Sequence, residues 1–165
     1  MLEQFRPRKY LNSIKSIDFS ALKEQGIRGL LFDLDDTILP RREKVLNPMT
    51  YHFFDSLKEQ GFKICILSNN YNPKRVKNIA RELGIYYITY AFKPLPTGFN
   101  RAAEMLKLKP SQIAVIGDQL FMDIWGGNLA QMYTILVKPI SQEIRWYRQL
   151  MRMAEDWVLE QLELS

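Results

Sequence analysis

The chain has 165 residues, enough for one domain with a core of its own. Its 47% hydrophobic and 25% charged residues lie near the globular average and exclude wholesale disorder, and its single cysteine excludes a disulfide framework. The net charge of +5 favours anionic partners without choosing among nucleic acid, a membrane surface and a phosphorylated small molecule.

The opening "MLEQFRPRKY" is charged but leads into no apolar region, so no signal peptide is expected. No later run approaches the ~18 apolar residues of a bilayer span, and the expected setting is the cytoplasm. "IRGLLFDL" (27–34) predicts a first buried strand. Asn47-Pro48 reads as an N-cap with proline at the first helical position, opening a helix through Tyr51, Phe54 and Leu57 that stops before Gly61. "FKICILS" (62–68) predicts a second strand and makes Cys65 a buried small hydrophobe. Asn72-Pro73 repeats the start signal, for a helix through Val76, Ile79, Ala80 and Leu83 to Gly84. Then follow a strand "YYITY" (86–90), a helix over 97–107 with Phe99, Ala102, Ala103 and Leu106 on one face, and a strand "IAVIGD" (113–118). A short helix near 121–131 and a strand "YTILVK" (133–138) complete the alternation. Strands alternating with helices predict a central parallel sheet covered on both faces, a three-layer α/β/α sandwich whose ligand site lies at the carboxyl ends of the strands. One domain is expected over 1–165, with its core at about 27–138 and an amphipathic C-terminal helix at about 140–163. In that helix Ile140, Ile144, Tyr147, Met151, Ala154 and Val158 form an apolar stripe. Trp146, Leu150, Met153 and Trp157 form a second stripe beside it, with Arg145, Arg148 and Arg152 on the opposite face.

Polar residues sit at the ends of successive strands. Asp33 and Asp35 end the first, Ser68 and Asn69 the second; Lys93 follows the third, and Asp118, with Asp123 five residues on, ends the fourth. Their chemistry is complementary. Asp33 and Asp118 can share one Mg²⁺, which favours oxygen ligands and would offset the repulsion among the carboxylates of "DLDD". Asp33 is then placed to attack phosphorus, and Asp35 to protonate the leaving oxygen and later activate water. Ser68 offers a hydroxyl and Lys93 a cation to the phosphoryl oxygens, with Asn69 beside them. The one histidine, His52, falls in a helix away from these loops, so histidine-based phosphoryl transfer is poorly supported.

The ordered set "DLDDT", "LSN", "KP" and "GDQLFMD" closely resembles the four motifs of the haloacid dehalogenase (HAD) superfamily, over residues 27 to about 138. The resemblance implies a HAD-like Rossmannoid fold and a Mg²⁺-dependent phosphatase working through an aspartyl-phosphate on Asp33. It implies Asp35 as general acid/base, with its backbone carbonyl on the metal, and Ser68 and Lys93 on the phosphate. Asp33, Asp35 and Asp118 become the expected metal set, with Asp123 a direct or water-mediated neighbour. Most members carry glycine after the second aspartate; here it is Asp36, and the "DDT" form is similar to bacterial HAD phosphatases of the YqeG type. Asp36 has no assigned part beyond a hydrogen bond to the turn that follows.

The intervals 37–62 and 70–93 are filled by one helix, and by a helix and a strand, which leaves no room for a cap domain. The chain is similar to the capless class (subfamily IIIA), whose open site suits a phosphate carried on something large. Arg41, Arg42 and Lys44, and Lys74, Arg75 and Lys77, are expected to rim the catalytic edge; at the start of a helix such cations oppose its dipole, so local stability does not explain them. The apolar face of the C-terminal helix suits packing on the domain, a membrane or a partner chain; with a resemblance to capless enzymes that dephosphorylate phosphatidylglycerophosphate and the basic rim, the leading expectation is a lipid phosphate at an anionic membrane. A protein or nucleic-acid phosphatase, nucleic acid being less favoured, and a non-catalytic scaffold on the same fold are the alternatives.

Overall fold

Six short strands form one all-parallel sheet in the computed structural model, which describes residues 2–141 and 145–164. They are β1 (Lys9–Leu11), β2 (Gly29–Phe32), β3 (Lys63–Leu67), β4 (Tyr86–Ile88), β5 (Ile113–Gly117) and β6 (Tyr133–Val137). All five expected strands are present, each shorter than its apolar run. The sixth, β1, was not expected: its three half-buried residues show no alternation, and it exists because β6 offers an edge, with Lys9 opposite Ile135.

Among the described residues six α-helices flank the sheet: α1 (Phe19–Glu24), α2 (Pro48–Glu59), α3 (Pro73–Leu83), α4 (Pro96–Leu106), α5 (Trp125–Leu129) and α6 (Trp146–Gln161). Helices α2 and α3 start as their sequences dictate. The Asn47 side chain accepts the Thr50 N–H at 2.9 Å and that of Asn72 accepts the Arg75 N–H at 3.1 Å, each ahead of a proline. The short helix expected near 121–131 is a π-helical turn, Leu120–Ile124, running into α5.

The strand order is β1-β6-β5-β2-β3-β4. The chain lays β3 and β4 outward from β2, then crosses back to place β5 on the other side of β2. That reversal opens a crevice at the carboxyl ends of β2 and β5, the usual position of a ligand site in an open α/β sheet. Phe32 pairs with Ile116, so the residues that follow leave the sheet side by side.

Alternation along the strands splits the core. Leu30, Phe32, Ile64, Ile66 and Ile116 face α1, α2 and α3, meeting Leu22, Phe54, Val76 and Ile79. Leu31, Cys65, Leu67 and Val115 face α4, meeting Phe99, Ala102 and Leu106. A third cluster joins Leu120, Ile124 and Leu136 to Val158, Leu159 and Leu162 at the end of α6. This is the three-layer α/β/α fold. Among the described residues no cap domain interrupts either expected interval, and no helix is long and apolar enough to cross a membrane.

Helix α6 sits differently from its sequence pattern. Ile144 lies outside the described residues, and Ile140 is in the connection before the helix. Glu155, Val158, Leu159 and Leu162 face the domain, whereas of the expected stripe Met151 is half-buried and Tyr147 and Ala154 are exposed. Trp146, Leu150, Met153 and Trp157 point outward, 55 to 72% exposed. Arg148 and Arg152 are turned partly inward, so one arginine-bearing side faces the strand ends.

Candidate active site

The crevice between β2 and β5 gathers three carboxylates. Asp33 follows β2, Asp118 follows β5 and Asp123 lies in the π-helical turn; each offers an oxygen within 4.8 Å of the other two. Lys93, buried after β4, donates to Asp33 Oδ1 at 2.7 Å and to Asp123 Oδ1 at 2.6 Å. The Gln119 N–H donates to Asp123 Oδ2 at 3.1 Å, which closes the turn. This approach requires Gly117, because a Cβ there would stand 2.2 Å from Asp123 Cγ. The Thr37 hydroxyl donates to Asp118 Oδ1 at 3.2 Å. Arg152 reaches back from α6 and donates to both the carboxylate and the backbone carbonyl of Asp118.

Asp35 is gripped separately. Arg75 donates to its Oδ1 at 2.6 Å and Asn70 to its Oδ2 at 2.7 Å, with Arg41 at 3.5 Å. Arg75 therefore departs from its expected place on the rim: it is 9% exposed, and it also donates to the Glu43 carbonyl. It joins α3 to the segment after β2, which accounts for a cation where the helix dipole disfavours one. Asp36 adopts φ +65°, the left-handed conformation that suits glycine. It is held by the expected turn contact, the Arg41 N–H at 3.3 Å, and by two partners the sequence did not suggest. Ser141 donates to its carboxylate and the Ile140 N–H to its carbonyl, at 2.9 Å for the latter, so Asp36 ties the lead-in of α6 to the loop after β2.

Ser68 is buried at the end of β3, and its hydroxyl accepts the Asn70 N–H at 3.0 Å. Asn69, expected on the phosphate, uses both ends of its amide on the Lys93 backbone, at 2.9 and 3.0 Å. It thereby fixes the loop that carries Lys93, and it lines the cleft over Asp33 and Ser68. His52 is exposed on α2, and takes no part in the cluster. A cleft of about 590 Å³ opens over Asp33, Asp35, Ser68 and Lys93, and its far wall is Tyr147, Arg148 and Met151 of α6. The sequence left open whether this helix packs on the domain, a membrane or a partner chain; it packs on the domain, beside the strand ends. The missed residues are Arg152, Asn70 and the Asp36–Ser141 tie, and the one available signal was the arginine side of the C-terminal pattern.

Charge in the crevice is unbalanced. Burial, then the nearby Asp33 charge, pushes the Asp118 carboxyl up to about 7 although Arg152 opposes the shift. Burial raises Asp123 to about 6 against the pull of Lys93. Burial alone would lower Lys93, but the Asp123 and Asp33 carboxylates hold it above the ordinary lysine value. Three buried carboxylates thus face two side-chain cations. An all-oxygen donor set short of positive charge suits a hard divalent cation, so the residues present fit one.

The sequence pattern of the haloacid dehalogenase-like hydrolases matches residues 40–131. The chain is 36% identical over 159 residues to the "probable phosphatase YqeG" of Bacillus subtilis, covering 96% of this chain and 92% of that protein. It is 26% identical over 145 residues to "phosphatidylglycerophosphate phosphatase 1, chloroplastic/mitochondrial" of Arabidopsis thaliana, covering 82% of this chain but 41% of that one. Among solved structures, the cobalt-bound deoxy-D-mannose-octulosonate 8-phosphate phosphatase of Haemophilus influenzae superposes with a TM-score of 0.55 at 14% identity, over 84% of this chain and 90% of that one. At that identity the likeness concerns the fold.

Proposed function

The chain belongs to the haloacid dehalogenase-like hydrolase family and is a phosphatase, and from that premise we propose that it hydrolyses phosphomonoesters through an aspartyl-phosphate on Asp33. The observation that carries this reading is the meeting of Asp33, Lys93, Asp118 and Asp123 at the β2/β5 crevice, under an open cleft that also holds Asp35 and Ser68. A divalent cation, Mg²⁺ by its taste for oxygen, would be held by Asp33, Asp118 and Asp123 and would neutralise phosphoryl charge when bound. A ligand from the Asp35 carbonyl belongs to the same proposal.

The residues then divide the work. The Asp33 carboxylate attacks phosphorus, and the bond from phosphorus to the leaving oxygen breaks. Asp35, oriented by Asn70 and Arg75, gives its proton to that oxygen and the alcohol departs. The Asp35 carboxylate next takes a proton from water, whose oxygen attacks phosphorus, and inorganic phosphate leaves as Asp33 regains its carboxylate. Lys93 holds Asp33 through an ion pair and offers charge to the phosphoryl oxygens, with the Ser68 hydroxyl beside it. Asn69 contributes by holding Lys93.

We further propose a large or membrane-borne substrate, a lipid phosphate such as phosphatidylglycerophosphate. Three features support it: the Arabidopsis relative carries that activity in its name, no cap closes the cleft, and α6 turns two tryptophans, a leucine and a methionine to the outside. Arg42, Lys44, Lys74 and Lys77 are exposed, as an anionic membrane would require of a peripheral docking face.

Asp33→Asn and Asp35→Asn are each expected to abolish Mg²⁺-dependent hydrolysis of an aryl phosphate, and full activity in Asp33→Asn sinks the mechanism. A panel of lipid, nucleotide, sugar and peptide phosphates should show the lipid preferred, with salt-sensitive co-sedimentation on anionic vesicles. Preference for a phosphopeptide or a nucleotide would replace the lipid reading and leave the mechanism intact.

A further inference from the structure

Helix α6 brings to the crevice a charged network that packing alone does not require. Arg152 donates through one nitrogen to the Asp118 carboxylate and through another to the Asp118 carbonyl. Its guanidinium is steadied by Glu155, one turn on, at 3.2 Å, and Glu155 accepts the Phe121 N–H at 3.1 Å. Glu155 is 3% exposed beside the apolar cluster of Leu120, Ile124, Val158 and Leu159. A buried ion pair in such a place stabilises a fold little or not at all compared with apolar side chains of the same volume. The network therefore needs a reason other than holding the helix down.

The geometry points to Arg152 as the positioning residue of the cation site: its two donors grip the Asp118 carboxylate and carbonyl together and hold that carboxylate beside Asp33 and Asp123. A guanidinium suits this task because its planar fork reaches two acceptors at a fixed spacing. The Thr37 hydroxyl holds the other oxygen of Asp118, so the carboxylate is constrained at both ends. Without Arg152, Asp118 would be free to turn away from two carboxylates that repel it. Partners behind a metal ligand commonly govern affinity in this way. The inference rests on the cation-dependent phosphatase reading above, and it makes α6 part of the catalytic apparatus.

The test uses the full chain and Mn²⁺ as the probe, its binding followed by calorimetry and by the electron paramagnetic resonance signal of the free ion. Arg152→Ala is expected to weaken Mn²⁺ about 10- to 100-fold, and to raise the Mg²⁺ concentration giving half-maximal aryl phosphate hydrolysis while the rate at saturating Mg²⁺ changes far less. Arg152→Lys keeps the charge but not the fork, and should recover part of the affinity. Glu155→Gln should weaken binding by a smaller factor. Unchanged Mn²⁺ affinity in Arg152→Ala overturns the inference alone. Tighter binding overturns it too, since Arg152 would then compete with the cation. A wild-type protein that binds no Mn²⁺ removes both the inference and the reading beneath it. Should Arg152→Ala fail to fold, Arg152→Lys decides: affinity equal to wild type counts against a positioning fork.

Discussion

Arg75 is the side chain on which the orientation of Asp35 depends. Its Nη1 lies 2.6 Å from the carboxylate, and the same guanidinium reaches the Glu43 carbonyl, so one residue of α3 secures both Asp35 and the loop after β2. Removing it leaves the buried Asp35 carboxylate with only Asn70 and the longer Arg41 contact, and breaking a buried pair costs up to about 3–5 kcal/mol. Arg75→Ala should therefore lower the unfolding free energy by up to about that amount, read as a lower denaturant midpoint, and reduce hydrolysis, and Arg75→Lys should restore stability better than rate. A midpoint within error of wild type would show that the pair contributes nothing. The positive charge at Arg75 was legible in the sequence; its partner was not, because a solvated cation and one paired with an aspartate 40 positions away look alike in a string. The same holds for Arg152. At Asp36 the string showed an aspartate where the resembled family carries glycine, and the left-handed φ explains why glycine serves there and why this aspartate needs Ser141 and Arg41 around it.

At the scale of elements, the π-helical turn Leu120–Ile124 brings Asp123 back against β5 and makes Gly117 indispensable. Gly117→Ala would drive its Cβ into the Asp123 carboxylate, and the carboxylate would have to leave the cluster. Hydrolysis should fall by at least a hundredfold, about 2.7 kcal/mol of transition-state stabilisation, with the far-ultraviolet dichroism unchanged; retention of most of the activity would show that the turn can yield. The buried strands and the capped helices were readable because each is announced locally, by an unbroken apolar run or by asparagine before proline. The elements missed were those announced by nothing local. The three residues of β1 have no pattern of their own, and α1 is six residues long. The orientation of α6 was ambiguous because its sequence offers two apolar stripes, and only the shape of the domain decides which one is covered. The domain selected Val158, Leu159 and Leu162, and left the stripe with both tryptophans outside.

At the scale of the whole molecule, the buried acids couple folding, protons and cations. Asp118 and Glu155 titrate near 7 and Asp123 near 6 in the folded protein, burial being the main cause for each, against ordinary values of 3.8 to 4.5. With these values raised, the folded state binds more protons than the unfolded chain. The stability they contribute is complete below about pH 4 and is lost as pH rises towards 7. In chelator the protein should melt at a higher temperature at pH 5 than at pH 8. Added Mg²⁺ should raise the melting temperature more at pH 8 than at pH 5, because the cation then replaces charge that protons no longer supply. Thermal scans at the two pH values, with and without Mg²⁺, check this, and an equal Mg²⁺ shift at both would contradict it.

The pairing of β2 with β5 has a consequence for how the protein acquires its activity. The Thr37–Asp118 bond spans 81 positions, with α2, β3, α3, β4, α4 and β5 between its ends. Loops of that length close late and slowly. A partly folded chain that has already assembled β2, β3 and β4 possesses Asp33, Asp35, Ser68 and Lys93, yet lacks Asp118 and Asp123, two of its three clustered carboxylates. Recovery of hydrolysis on refolding therefore times the docking of β5, and a spectroscopic signal of collapse or of helix formation precedes it. The enzyme carries its own reporter for a long-range contact at the centre of its sheet.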